Sequence, residues 1–264
     1  MAAAPLKDWI DSRQAAGKYT FLRDEAVKES GLSQESVKKA LQRLTRRRRI
    51  AKLKNYFYVI VPLEYLHVGS PPASWFIHHL MAAMGVPYYV ALLSAAAQLG
   101  SSHHQPQEFQ VMTDRSIRPL KIGHSKIHFF ATKYLSAALT SDIKTPTGIM
   151  RVSSPETTVV DLVRFAGAAG HLDHVATVIK ELSADLDSKR LVAAVRSVHD
   201  IPNAQRLGYL LDCMQLSRLA NPIYNWIYRH NVHPVPLRPL NRGKTIRQNH
   251  RWRVLVDRPI EVEA

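Results

Sequence analysis

SQESVKKALQRLTRRRRIAKLKNYFYVIV, Ser33 to Val61, is the stretch whose reading decides the fold. Ser33 carries a hydroxyl suited to capping a helix, and Glu35 puts an acid in the first turn, where the helix dipole favours it. Val37, Ala40, Leu41 and Leu44 recur at i, i+3, i+4 and i+7, the single apolar stripe of an amphipathic helix. Gln34, Ser36, Lys38, Lys39, Gln42 and Arg43 project from the other side, and Arg46, Arg47, Arg48 and Arg49 close the run. The period then changes. Ile50, Leu53, Tyr56, Phe57, Tyr58, Val59 and Ile60 are strand formers, interrupted by Lys52, Lys54 and Asn55, which suit a hairpin turn. A helix with cations outward that runs into a basic hairpin is the pattern of a winged helix-turn-helix. Its helix enters the major groove of DNA and its wing lies on the neighbouring backbone. The expected DNA contacts are therefore Gln34, Ser36, Lys38, Lys39, Gln42, Arg43, Arg46, Arg47, Arg48, Arg49, Lys52 and Lys54. A winged helix that only docks protein is the rival reading, but it has little use for four successive arginines at the helix-wing junction.

The preceding residues supply the rest of that unit. Leu6, Trp9, Ile10 and Arg13 have helical spacing after Pro5, a good first helical residue. Thr20 and Phe21 lead into a second short helix, Arg23 to Ser30, and Gly31-Leu32 forms the turn before Ser33.

Charge supports a polyanion partner. Of the formal +15, residues 1–62 contribute +8 and residues 229–258 contribute +7, while the remainder cancels. Two basic segments flank a neutral middle, and long cationic surfaces seek nucleic acid. One cysteine, Cys213, excludes an internal disulfide and any cysteine-cluster metal site, and its helical surroundings predict a small buried hydrophobe. MAAAPLKDWID has no secretory apolar core, and the most apolar run, Val86 to Leu99, is too short to span a bilayer. A cytoplasmic protein without membrane attachment is expected.

The expected fold class is α+β: an N-terminal winged helix-turn-helix domain over 1–62, a linker over 63–72, and a larger α+β domain over 73–264. Gly69-Ser70-Pro71-Pro72 marks the linker. Beyond it the pattern predicts a helix around Trp75 to Met81 and an apolar helix from Val90 to Leu99. Short strands follow at Glu108–Met112, Arg118–Ile122 and Lys126–Ala131, with Met150–Val152 a candidate fourth. Ser154-Pro155-Glu156 is a helix start with cap, first-turn proline and first-turn acid together. Helices are predicted over His171–Leu182, Ser188–Val198, Asn203–Met214 and Leu216 to about Tyr228, and one strand in the tail at Trp252–Val256. The domain reads as a small antiparallel sheet with a helical bundle.

Catalytic chemistry is hard to find. His78-His79 and His103-His104 are adjacent pairs, and helix neighbours point about 100° apart, a poor chelating geometry. No HExxH, glycine-rich phosphate loop or GxSxG occurs. Asp142-Ile143-Lys144 and Asp187-Ser188-Lys189 match part of a nuclease pattern by letters, in contexts that read as loop or helix start. Asp161 and Arg164 read as an ordinary surface pair. No enzyme, cofactor or metal is expected.

Five blocks in order then become informative together: YYVALLSAAAQLGSSHHQPQEFQVMTDRSIRP from Tyr88, VSSPETTVVDLVRF from Val152, GHLDHVATVIKEL from Gly170, AQRLGYLLD from Ala204 and WRVLV from Trp252. With the winged helix before them, they resemble the AbiEi antitoxins of bacterial type IV toxin–antitoxin systems over nearly the whole chain. The resemblance implies a protein with two roles. Its N-terminal domain represses its own operon at double-stranded promoter repeats, as a monomer that pairs on the DNA. Its C-terminal domain counteracts a cognate AbiEii-like nucleotidyltransferase toxin, with or without a stable complex. No catalytic residues come with it. Two departures stand out: where such winged helices usually have glycine before the first wing strand and at the wing turn, this chain has Arg48-Arg49 and Asn55-Tyr56. The basic tail, through Arg242, Lys244, Arg247 and Arg251, is the candidate antitoxicity surface, with an accessory DNA clamp and plain solvated charge as the competing readings. The alternative is a one-component regulator whose second domain binds a small ligand.

Overall fold

A computed structural model of the chain describes residues 6–54, 56–101, 106–239 and 246–262. Contacts group them into two units, one of residues 1–89, 107–132 and 142–151, the other of 90–106, 133–141 and 152–264.

The first unit opens with α1 (Leu6–Ala15), β1 (Thr20–Leu22), α2 (Arg23–Ser30), α3 (Gln34–Arg46), β2 (Ile50–Lys52) and β3 (Phe57–Ile60). Gly31 ends α2 at φ 69°, and the Ser33 hydroxyl accepts the Ser36 N–H at 3.2 Å at the start of α3. The strands pair antiparallel in the order β1-β3-β2. This is the element order of a winged helix, with one strand more than the sequence reading supplied. Thr20 to Leu22 is too short to display an alternation, and it becomes a strand because β3 offers a free edge. Leu6, Ile10, Phe21, Val37, Leu41, Ile50 and Ile60 meet in one core. Each such burial stabilises by about 1.5–3 kcal/mol, so the stripe read on α3 is what holds that helix against the sheet.

The same unit continues through α4 (Ile77–Met84) into β4 (Tyr88–Val90), β5 (Phe109–Thr113), β6 (Leu120–Ile122), β7 (Ser125–Ala131), β8 (Thr140–Thr145) and β9 (Gly148–Ser153). The ends of β4 and β9 carry the chain into the second unit, and β8 brings it back into the first. The sheet order is β6-β7-β5-β4-β9-β8. β5 runs parallel to β7, and β4 runs parallel to β9 at Val90 and Val152. The expected small antiparallel patch is thus a six-stranded mixed sheet. Val90, the last residue of β4, falls in the predicted helix because it continues that helix's apolar run, and a parallel pair needs a crossover that no local pattern announces. Residues 63–72, expected as a linker, are docked: Ser70 is buried and donates to the Ile122 carbonyl at 3.1 Å, and the His124 N–H donates to the Val68 carbonyl at 2.9 Å.

The second unit is built on α5 (Leu92–Gln98), α6 (Pro155–Arg164), α7 (His171–Leu182), α8 (Ser188–Val198), α9 (Ile201–Cys213) and α10 (Ser217–Ile227). A small sheet of β10 (Val235–Pro236), β11 (Arg247–Asn249) and β12 (Val254–Val256) completes it, in the order β10-β12-β11. Ser154 caps α6 by accepting the Thr157 N–H at 3.3 Å, with Pro155 in the first turn. α6 is buried on nearly all sides, including its polar residues. Glu156 is 1% exposed and accepts the Asp187 N–H at 3.3 Å. Asp161, 2% exposed, sits 3.5 Å from Arg164, so this pair belongs to the interior and not to the surface as its spacing suggested. Cys213 departs the other way: it is exposed, since α9 turns its last residue outward. No helix among the described residues is long and apolar enough to cross a membrane.

Trp252 fastens the tail. Its ring is 1% exposed, its indole N–H donates to Asp212 at 2.6 Å, and Gln205 donates to its carbonyl at 2.8 Å. The ring lies on Gly208 of α9, where an added Cβ would come within 2.1 Å of it. Gly208→Ala is therefore expected to dislodge the indole and cost about 1–3 kcal/mol. A lowered thermal midpoint with red-shifted tryptophan emission checks it.

Candidate nucleic-acid interface

α3 presents the expected face. Gln34, Ser36, Lys38, Lys39, Gln42, Arg43 and Arg46 are all exposed, while Val37, Ala40 and Leu41 are buried. Lys39 pairs with Glu35 one turn earlier at 2.8 Å, an exposed contact of little energetic weight. The Ser36 hydroxyl accepts from Ser33 at 2.9 Å.

Between α3 and the wing lies a groove of about 410 Å³ that includes Arg23, Lys38, Gln42, Thr45, Arg46 and Lys52 in its lining. Lys38, Gln42, Arg46 and Lys52, expected from sequence, converge there. Arg23 was missed. It is the first residue of α2, and nothing in its local sequence marks it; only the fold brings it to the α3 groove, beside Asp24 at 3.6 Å. Tyr58 also lines the groove. Burial pushes its phenol above the usual value, against the lowering effect of Arg23, which keeps it a neutral hydroxyl at physiological pH. Four cations around one concavity make a surface of strong positive potential.

The arginine run divides. Arg46, Arg47 and Arg48 are exposed. Arg48 takes φ 57°, with its N–H donating to the Thr45 carbonyl and the Arg49 N–H donating to the Leu44 carbonyl. That is the helix-ending turn in which glycine usually stands, and it accounts for the departure at this position. Arg49 does not join the outward set. Its guanidinium donates to Asp11 at 2.7 Å, to Gln14 and to the Val61 carbonyl at 2.9 Å, joining α1 to both ends of the wing. Lys52 is exposed and Lys54 half-buried, while Asn55, expected at the turn, lies outside the described residues.

The tail corrects its net charge. Asp173 of α7 receives Arg238 at 2.6 Å, Arg258 at 2.9 Å and the Glu261 N–H at 3.0 Å. Arg251, expected as an antitoxicity residue, reaches Asp212 at 3.1 Å and Asn221 at 2.5 Å and stacks over Tyr224 and Trp252. Arg247 is exposed on β11. Arg242 and Lys244 lie outside the described residues.

Metal and catalytic readings gain nothing. Among the described residues no group of three His, Cys, Asp or Glu is arranged to hold a metal ion. The His78 Nδ1 lies 3.2 Å from the Tyr88 hydroxyl, a structural contact, and His103-His104 lies outside the described residues. Asp142 and Lys144 stand on β8, a strand and not the expected loop, with Asp142 paired to Arg151 at 3.4 Å. Asp187 caps α8 by accepting the Arg190 N–H at 2.9 Å.

Two measurements separate structural from surface arginines. Arg49→Ala should destabilise the fold by about 1–2 kcal/mol, since it removes charge-assisted bonds from a half-buried junction, whereas Arg46→Ala should leave the thermal midpoint unchanged. At Asp173 burial raises the carboxyl pKa, but the Glu261 amide and the Arg238 and Arg258 guanidiniums together hold it below the usual value. A lowered folded pKa stabilises above the unfolded value, about 4, and that contribution is lost as pH falls through the folded value. Asp173→Asn should therefore lower the melting temperature at pH 7, and the gap from wild type should close on acidification.

Three comparisons with known proteins bear on identity. No curated protein sequence matches the chain. A solved structure, that of the RV2827C protein from Mycobacterium tuberculosis, has a similar fold, with a TM-score of 0.68 at 14% identity, covering 95% of this chain and 90% of that one. Residues 89–213 match the model of the AbiEi antitoxin C-terminal domain. Over residues 89–213, then, the chain is similar to the C-terminal domain of the AbiEi antitoxin family.

Proposed function

We propose that this protein is a type IV antitoxin that represses its own operon by binding double-stranded promoter repeats and neutralises a cognate AbiEii-like nucleotidyltransferase toxin. The antitoxin domain supports the first part of that reading. The observation that carries the DNA-binding part is the groove between α3 and the wing, with Arg23, Lys38, Arg46 and Lys52 around it. A sugar-phosphate strand seated there meets four cations, while Gln34, Ser36, Lys39 and Gln42 stand on the exposed side of α3, within reach of base edges. Arg43, Arg47 and Arg48 add exposed charge around them. The protein acts in the cytoplasm, as a monomer that pairs on the repeats. The division of labour follows residues 1–62 and 73–264, with Arg247 and its neighbours in the tail assigned to antitoxicity.

The test is operator binding as a function of salt. Each phosphate contact adds roughly −0.9 to the slope of log K against log salt on duplex DNA, so Lys38→Ala with Arg46→Ala should flatten the slope by about 1.8. Repression should fall, and rescue of cells expressing the toxin should persist. A slope unchanged by the double substitution would remove the groove from the interface, and loss of rescue by a folded variant would join the two roles on one surface.

A further inference from the structure

The C-terminal end of α10 combines exposed aromatic faces with unbalanced positive charge. Tyr224 and Tyr228, one turn apart, have ring centroids 6.0 Å apart, and Tyr228 is 76% exposed. Trp226 packs against His230 with centroids 4.8 Å apart. Arg251 covers the face of Tyr224 at 5.0 Å and that of Trp252 at 5.3 Å, so one side of the aromatic group is already held by a guanidinium. Asp212 anchors that arginine and the Trp252 indole together, and the Trp252 ring meets Tyr224 edge-on at 5.6 Å. The platform is therefore rigid on its inner side and open at Tyr228.

Its charge has one sign. Arg229, Arg247 and Arg253 are exposed. Asp212 is committed to Arg251 and Trp252, and the side chain of Asp257 is 6% exposed and faces Arg238 at 3.7 Å. A partner for this surface has to bring negative charge and flat rings. A duplex brings the charge but keeps its bases stacked on each other. An acidic protein surface brings charge without faces that fit between Tyr228 and its neighbours. Single-stranded nucleic acid brings both, since every base offers a face for stacking and every linkage a phosphate.

We infer that the α10 terminus and the β11–β12 hairpin form a binding platform for single-stranded nucleic acid, separate from the duplex-binding groove. Bases stack on Tyr228, Arg251 positions Tyr224 beside it, and Arg229, the next residue in the chain, neutralises the backbone. The platform tolerates different sequences, because stacking and phosphate pairing read neither base edges nor order. It also gives the second unit a direct hold on nucleic acid, a function that the repressor and antitoxin roles do not require.

The experiment uses the full chain with Lys38→Ala and Arg46→Ala, which weaken the winged-helix groove. Fluorescence anisotropy follows labelled mixed-sequence RNA and DNA single strands of about twelve nucleotides, and the corresponding duplexes, across a salt series. Both single strands should bind more tightly than their duplexes, and tighter RNA than DNA would identify a contribution from the 2′-hydroxyl. Tyr228→Ala should weaken single-strand binding roughly fivefold or more, while Tyr228→Phe, which keeps the stacking face, should retain it. Arg229→Ala should flatten the salt slope by about 0.7, the contribution of one phosphate on single strands. Tyr228 is exposed, so its variants should keep the wild-type melting temperature. Absent single-strand binding, duplex binding as tight as single-strand binding, or affinity unmoved by Tyr228→Ala would each overturn the inference. So would a toxin complex that depends on Tyr228 in a protein that binds no single strand.

Discussion

Arg49 ties the winged helix together. Its guanidinium bonds to Asp11 and Gln14 on α1 and to the Val61 carbonyl after β3, while its own backbone N–H ends α3. Five N–H donors in a rigid fork suit one arginine to such a junction in a way a lysine is not. The bond set fixes where the helix stops and where the wing begins. The groove containing Lys38, Arg46 and Lys52 exists because that angle is held. With Arg23 they make four cations that repel one another around one concavity, so the elements carrying them have to be held in place.

The tail applies the same physics in reverse. A run of eight cations with one acid looks like a free basic surface when counted along the chain, yet its arginines find acids on helices far away in sequence. Asp173 gathers Arg238 and Arg258, and Asp212 gathers Arg251 together with the Trp252 indole. Pairing offsets these charges, and Arg229, Arg247 and Arg253 stand exposed beside them. The two basic segments of the chain are thus unlike each other. The first is concentrated into a groove, and the second is divided between arginines paired with α7 and α9 and arginines left on the surface.

The two chemistries of α6 mark how the second unit is built. Its cap, proline and first-turn acid are all used as their spacing suggested, but the helix is buried around most of its surface. Glu156 and Asp161 are held there by an amide and by arginines, the condition under which charged groups tolerate an interior. Such a helix organises a core. Its polar residues are therefore more informative about packing than about a ligand.

What the sequence by itself determined were the features with local causes. The α3 stripe, the Ser33 and Ser154 caps, the Gly31 stop and the long helices of the second unit follow from spacing and from one or two side chains each. The outward face of α3, with Gln34, Lys38, Gln42 and Arg46, was legible for the same reason: burying Val37, Ala40 and Leu41 leaves those positions only solvent. The resemblance of the later blocks pointed to the same family that the match over 89–213 supports. Tertiary structure alone decided the rest. β1, β4 and β8 are short or continuous with other patterns, and they became strands only when a neighbour supplied partners for their backbone groups. Arg23 joined the groove because the fold brings the start of α2 there, while Arg49 turned to Asp11 and Arg251 to Asp212 because a charged side chain takes a nearby opposite charge in space. Distance in space is what a linear sequence does not carry.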